Sequence, residues 1–142
     1  MRLVPDASVA VKWIVAEEDS LAAETLLVGN ELHAPRLMVS EIANALWSKV
    51  RRGQILQSQT DKLIVSATEQ PVQWTDDGIL VVNALRFAVE VNHPIYDCIY
   101  LALAYRINGT VVTADRRFYD AVAPTEHAER VVLLADFAAA QG

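Results

Sequence analysis

Short apolar runs alternate with longer stretches of helical periodicity along the whole chain, and this alternation limits the fold more than any other feature. It is the signature of βαβ units built around a mainly parallel sheet, so the chain is predicted to be α/β. Strands are predicted at Arg2 to Val4, Glu31 to Ala34, Val72 to Trp74, Thr110 to Thr113 and Arg130 to Leu133, the third being short and flanked by Pro71. Helices are predicted at Ser20 to Val28, Leu37 to Arg52, Ser58 to Thr68, Asp76 to Val91 and Ile95 to Asn108. The alanine run Ala138 to Ala140 extends a final helix. Ser58 and Asp61 have the spacing of a capping box, and Gly53 and Gly109 stand where a left-handed C-terminal cap is expected.

At 142 residues the chain suits one domain spanning 1–142, with a core that needs no disulfide or zinc to complete it. Hydrophobic residues make up 53% and mean hydropathy is +0.21, so some apolar surface is expected to meet another subunit. Asp97 and Arg106 bracket the most apolar stretch, Ile99 to Tyr105, which is too short to span a bilayer. Cys98 is the only cysteine, which suits a reducing cytoplasm. The net charge is −6, so any contact with nucleic acid has to work through local basic groups. Lys49, Arg51 and Arg52 cluster at one helix end, and Arg116 and Arg117 follow directly on Asp115.

Four acids are the candidates for chemistry. Asp6 follows the first strand and Asp115 the fourth, which places both at carboxyl ends of strands, where open α/β sheets bind ligands. Either residue alone also fits an ordinary turn or helix N-cap. Glu41 stands in a helix apolar enough to be largely buried, on a polar stripe with Asn44 and Ser48 that is either a solvated face or the lining of a site. Asp97 lies near the start of a helix with almost no other polar position before Arg106. There it either complements the helix dipole or is a buried carboxylate that needs a partner or a metal.

If the four converge at one sheet edge, few basic residues are placed to neutralise them, and a hard cation would resolve the conflict. Oxygen-only donors suit Mg²⁺ or Mn²⁺, and such a cation supports phosphodiester hydrolysis by activating water. Crowded carboxylates disfavour their charged forms, so at least one is expected to have a raised pKa. Zinc is poorly served, because His33, His93 and His127 are scattered and Cys98 stands alone. His93 is read as shaping the turn before Pro94. No nucleophile elbow, Walker loop or dinucleotide glycine fingerprint is present.

Four segments together resemble the PIN-domain nucleases, and within them the VapC toxins of bacterial toxin–antitoxin pairs. They are Val4-Pro5-Asp6-Ala7-Ser8, Ser40-Glu41-Ile42-Ala43-Asn44-Ala45-Leu46, His93 to Ala104, and Val112-Thr113-Ala114-Asp115-Arg116-Arg117-Phe118. Each is weak alone; their order and spacing are specific. The resemblance covers nearly the whole chain and implies a Rossmann-like parallel sheet of five strands flanked by helices. It matches Asp6, Glu41, Asp97 and Asp115 to the family's acidic metal site, and Ser8 and Thr113 to polar positions beside it. It also implies a magnesium-dependent endoribonuclease that is homodimeric and held inactive by a cognate VapB-like antitoxin, and the single cysteine adds the expectation of a cytoplasmic location.

The chain departs from the pattern after Asp115, where many relatives carry a further acid and this sequence has Arg116 and Arg117, the next acid being Asp120. One cation liganded chiefly by Asp6 and Asp97 is therefore expected, with Glu41 and Asp115 acting directly or through water. Arg116 and Arg117 are candidates for contacting RNA phosphates. A dehalogenase-type phosphotransferase would need an Asp where Ser8 stands, and a receiver domain would need a lysine late in the chain, but none follows position 62. The remaining rival is a catalytically silent PIN-like scaffold acting as a partner-binding or DNA-associated regulator, against which the complete set of acids argues.

Overall fold

The computed structural model describes residues 1–142. Five strands, β1 (Arg2–Pro5), β2 (Glu31–Pro35), β3 (Val72–Thr75), β4 (Thr110–Thr113) and β5 (Val131–Leu133), form one all-parallel sheet in the order β3-β2-β1-β4-β5. Eight helices connect and follow them: α1 (Ala7–Ile14), α2 (Ser20–Glu24), α3 (Leu37–Arg51), α4 (Thr60–Thr68), α5 (Val81–Val91), α6 (Ile95–Ile107), α7 (Arg116–Val122) and α8 (Leu134–Gln141). The chain builds outward from β1 through β2 to β3, then returns through α5 and α6 to lay β4 on the other side of β1. The strand order therefore reverses between β1 and β4, where a doubly wound sheet opens a crevice beyond its carboxyl ends.

Strand alternation divides the core between two faces. Val4, Val111 and Val131 are register partners across β1, β4 and β5 and belong to the larger cluster, under α3, α4, α5, α6 and α7. Leu3, Leu32 and Val112 point to the smaller cluster, closed by Ala23, Leu26, Leu134 and Phe137. Helix α6 is buried at every residue from Cys98 to Ala104, as the centre of the larger layer must be. The Cys98 thiol is among these residues, and burial pushes its pKa up to about 12, which leaves it a packing group.

Several local expectations change. Helices α1 and α7 are additional to those predicted, and the segment beginning at Ser20 shortens to α2 followed by a 3₁₀ turn, Thr25–Leu27. Ser58 does not cap α4, which follows a 3₁₀ turn, Gln57–Gln59. Instead the Gln59 side chain accepts the Leu56 N–H at 2.8 Å. Gly53 is left-handed as expected (φ +73°), but at the end of α6 the left-handed residue is Asn108 (φ 53°). Gly109 is needed for a different reason: a Cβ there would lie 2.6 Å from the Arg2 carbonyl oxygen. Helix α3 is less buried than its composition implies, because only the stripe Met38, Ile42 and Leu46 packs inward and Trp47 is exposed.

Candidate active site

Asp6 and Asp115 stand on either side of the β1/β4 reversal, and both are helix N-caps. Asp6 caps α1, its Oδ1 accepting the Val9 N–H at 3.3 Å and the Ser8 hydroxyl at 2.5 Å, while its Oδ2 accepts the Thr113 hydroxyl from β4. Asp115 caps α7 by accepting the Arg117 N–H at 2.9 Å, and its own N–H donates to Thr113 Oγ1 at 3.0 Å. Ser8 Oγ also accepts the Ala114 N–H at 2.9 Å. Ser8 and Thr113 thus tie the end of β1 to the end of β4 and fix the Asp6 carboxylate between them. For these two acids the capping role and membership of a site coincide.

Glu41 and Asp97 come from helices packed beside that crevice. Glu41 Oε1 accepts the hydroxyl of Tyr100, a fully buried residue of α6, at 2.5 Å. Asp97 Oδ2 lies 2.6 Å from His93 Nε2, one helical turn earlier, and the His93 ring packs on Phe118 with centroids 5.3 Å apart. His93 therefore does more than shape a turn: it is the hydrogen-bond partner of a site acid. The i,i+4 spacing of His93 and Asp97 was the signal for it, whereas nothing local links Tyr100 to Glu41, 59 residues away.

All four acids line one small cavity of about 150 Å³ together with Ala7 and Ser8, and no basic side chain is part of its wall. The electrostatics follow from burial. Asp6 is only 4% exposed, and desolvation raises its pKa from 3.8 to about 7 despite the Ser8 and Thr113 hydrogen bonds that oppose the rise. Burial is also the largest cause lifting Glu41 and Asp97. Tyr100 and His93 respectively counter the rise, and the Asp97 charge adds to that on Glu41. Tyr100 itself is held well above its ordinary value by burial and by Glu41, so its hydroxyl stays a donor.

The basic candidates separate. Arg117 lines a polar cavity that adjoins Asp97 and Asp115, whereas Arg116 is engaged with Asp120 at 3.5 Å on the outer side of α7. Lys49 is drawn to Glu17 at 2.5 Å, and Arg51 stacks on Trp47. A second acid–imidazole grouping, Glu90, Glu126 and His127, lies outside the strand-end crevice. There His127 Nε2 is 2.5 Å from Glu90 and Nδ1 is 2.5 Å from the Tyr105 hydroxyl, so both ring nitrogens are engaged in joining α5 and α6 to the turn before β5.

The four-acid cavity is an all-oxygen donor set, which suits a hard divalent cation. The PIN domain family model matches residues 3–123. The chain is 32% identical to Ribonuclease VapC3 of Pyrobaculum aerophilum over 120 residues, covering 82% of this chain and 92% of that one. Among solved structures it resembles PAE2754 of Pyrobaculum aerophilum, with a TM-score of 0.67 and 22% identity over 99% of this chain and 88% of that one. It also resembles VapBC2 of Rickettsia felis bound to a DNA fragment from its promoter, with a TM-score of 0.60 and 13% identity over 94% of this chain and 97% of that one.

Proposed function

Because the chain belongs to the PIN-domain family, we propose that it is a metal-dependent endoribonuclease acting as the toxin of a toxin–antitoxin pair. The observation that carries this reading is the convergence of Asp6, Glu41, Asp97 and Asp115, from four separate elements, on one cavity without a basic side chain in its wall. The likeness to a ribonuclease named VapC3 supports the reaction class, and the fold shared with a VapBC complex supports an antitoxin partner.

Asp6 and Asp97 would hold Mg²⁺, with Mn²⁺ as a substitute, and Glu41 and Asp115 would complete the shell directly or through water. Once bound, such a cation lowers the pKa of a coordinated water and stabilises the leaving oxygen of a phosphodiester. This chain's own part is orientation: Ser8 and Thr113 fix Asp6, His93 fixes Asp97 and Tyr100 fixes Glu41. Arg117, and Arg116 once released from Asp120, would contact flanking phosphates. An acidic site on a chain of net charge −6 suits inhibition by a basic antitoxin segment.

The test is RNA cleavage by protein freed of any co-purified antitoxin, with Mg²⁺ and with EDTA, beside Asp6→Asn. Cleavage that requires Mg²⁺ and disappears in the variant is expected. No cleavage of any RNA would replace this reading with that of a silent scaffold.

A further inference from the structure

Along the chain His127 has only Glu126 beside it as a possible co-ligand, but the fold brings Glu90 to it from 37 residues away. His127 Nε2 lies 2.5 Å from Glu90 Oε2, near the end of α5, and 3.9 Å from Glu126 Oε1 in the turn before β5. One ligand atom from each of the three residues falls within 4.8 Å of the other two. None of these residues lines the acidic cavity. The turn that carries two of them leads into the amino end of β5, whereas the acidic cavity lies beyond the carboxyl ends of β1 and β4.

The imidazole is built into the fold. His127 is only 5% exposed, and its ring packs edge-on against Phe87 and Tyr105, with centroids 4.9 and 5.5 Å away. Its backbone N–H donates to Thr125 Oγ1 at 3.1 Å, which holds the turn. Nδ1 is 2.5 Å from the Tyr105 hydroxyl, and Nε2 faces the two exposed carboxylates. A metal-ligating histidine characteristically has its second ring nitrogen fixed by such a partner, which sets the tautomer and orients the ring. With the proton on Nδ1 and donated to the Tyr105 oxygen, the Nε2 lone pair points at Glu90 and Glu126. Neither carboxylate pairs with a lysine or arginine. The Arg130 guanidinium is occupied elsewhere, stacked over the Tyr105 ring and donating to the Gly109 carbonyl at 3.0 Å.

We propose that Glu90, Glu126 and His127 hold one Zn²⁺, with water in the fourth position, and that this cation ties α5 to the turn before β5. An imidazole nitrogen with two carboxylates is a mixed donor set that suits zinc, unlike the all-oxygen set of the acidic cavity, which suits a hard cation. Tetrahedral bonds of about 2.0–2.2 Å place neighbouring ligand atoms roughly 3.4 Å apart. From the present geometry, Glu90 has to withdraw from Nε2 by about 1 Å and Glu126 to approach it by about half an ångström to meet that spacing. Both side chains are exposed and can make these movements, while the buried imidazole between them stays in place.

The test titrates Zn²⁺ into the whole chain with excess Mg²⁺ present, which offers the acidic cavity a hard cation, and follows the histidine ring nitrogens by NMR. Up to one equivalent of Zn²⁺, the His127 Nε2 signal should move while the rings of His33 and His93 stay where they are. Mg²⁺ alone should leave His127 unchanged. Glu126→Gln alters a side chain that is 80% exposed, so the fold is not at stake. In calorimetry it should weaken Zn²⁺ binding at least about tenfold, as should Glu90→Gln, and Tyr105→Phe, which removes the hydroxyl behind Nδ1, should weaken it about tenfold. Zn²⁺ should also raise the melting temperature of the wild type more than that of Glu126→Gln. None of these readouts depends on RNA cleavage. A His127 ring that ignores one equivalent of Zn²⁺, a response confined to His93 beside Asp97, or an equal His127 response to Mg²⁺ alone would overturn the site. So would a Glu90→Gln or Glu126→Gln variant that binds Zn²⁺ as tightly as the wild type.

Discussion

Asp6 concentrates the conflict of this site at the level of a single residue. Its pKa in the folded chain, about 7, lies above the ordinary 3.8, so between those values the folded state binds more protons than the unfolded state. Its contribution to the stability of the metal-free protein is therefore full below about pH 4 and is lost as pH rises through about 7. The total is at most on the order of 4 kcal/mol at 1.36 kcal/mol per pH unit. Urea denaturation in EDTA at pH 5 and pH 7.5 should show the wild type more stable at the lower value, and Asp6→Asn should flatten that difference. Asp97 is raised in the same direction, so Asp97→Asn should increase the melting temperature of the metal-free protein while removing cleavage. A less stable metal-free variant would make Asp97 a structural helix-start residue. Tyr100→Phe takes away the hydrogen-bond donor to half-buried Glu41, and stability should fall by about 1–3 kcal/mol in chemical denaturation.

Among the elements, α6 does the most to assemble the site. It delivers Asp97 from its first turn and Tyr100 from its second, and it packs on β1, β2 and β4 with its middle, Cys98 to Ala104, buried all round. Its exit is equally constrained. Asn108 turns the chain left-handed, and Gly109 starts the approach to β4 where only a hydrogen fits against the Arg2 carbonyl. Two glycine substitutions should therefore behave differently. Gly53→Ala meets open space and pays only for left-handed backbone, about 1–2 kcal/mol. Gly109→Ala must push β1 away from β4 and should cost about 1–3 kcal/mol or more, since packed backbone cannot give way as a surface does. Denaturation midpoints of the two variants measure the contrast, and equal losses would mean that the Arg2 contact relaxes freely.

For the whole molecule, the expected cation and the expected second copy both act as ligands of the folded state. Mg²⁺ at a hundredfold excess over its Kd should stabilise the wild type by about 2.7 kcal/mol, and Asp97→Asn by less. Equal shifts in thermal melts would remove Asp97 from the metal shell. The α5 region leaves Ile79, Val82, Leu85 and Val89 exposed, an apolar stripe at near-helical spacing that nothing in this chain covers. If a second copy covers it, Leu85→Glu should convert a dimer into a monomer in light scattering, with the melting transition still cooperative. A variant of unchanged mass would place the homodimer contact on another face. No helix of the chain is long and apolar enough to cross a membrane, so this stripe is not part of a span.

Local pattern alone determined the α/β class and the positions of all five strands, while each of the four acids, read locally, also fitted an ordinary structural place and became one candidate set only through the order and spacing of the four segments. Periodicity and the preference of Asp for strand ends and helix starts are properties of neighbouring residues. Helices α1 and α7 are short, and an acid at the end of a strand fits a turn as well as it fits the N-cap of such a helix. Composition does not say which face of α3 meets a partner, so its apolar content implies more burial than the stripe Met38, Ile42 and Leu46 provides. The rest belonged to the tertiary structure. Strand order puts β1 beside β4 and so brings Asp6 to Thr113, 107 residues away, and the packing of α6 against α3 gives Glu41 its only hydrogen-bonding side chain, Tyr100. The raised pKa of Asp6 arises at the same level, because desolvation depends on everything that surrounds a carboxylate, and those surroundings exist only once distant segments have packed.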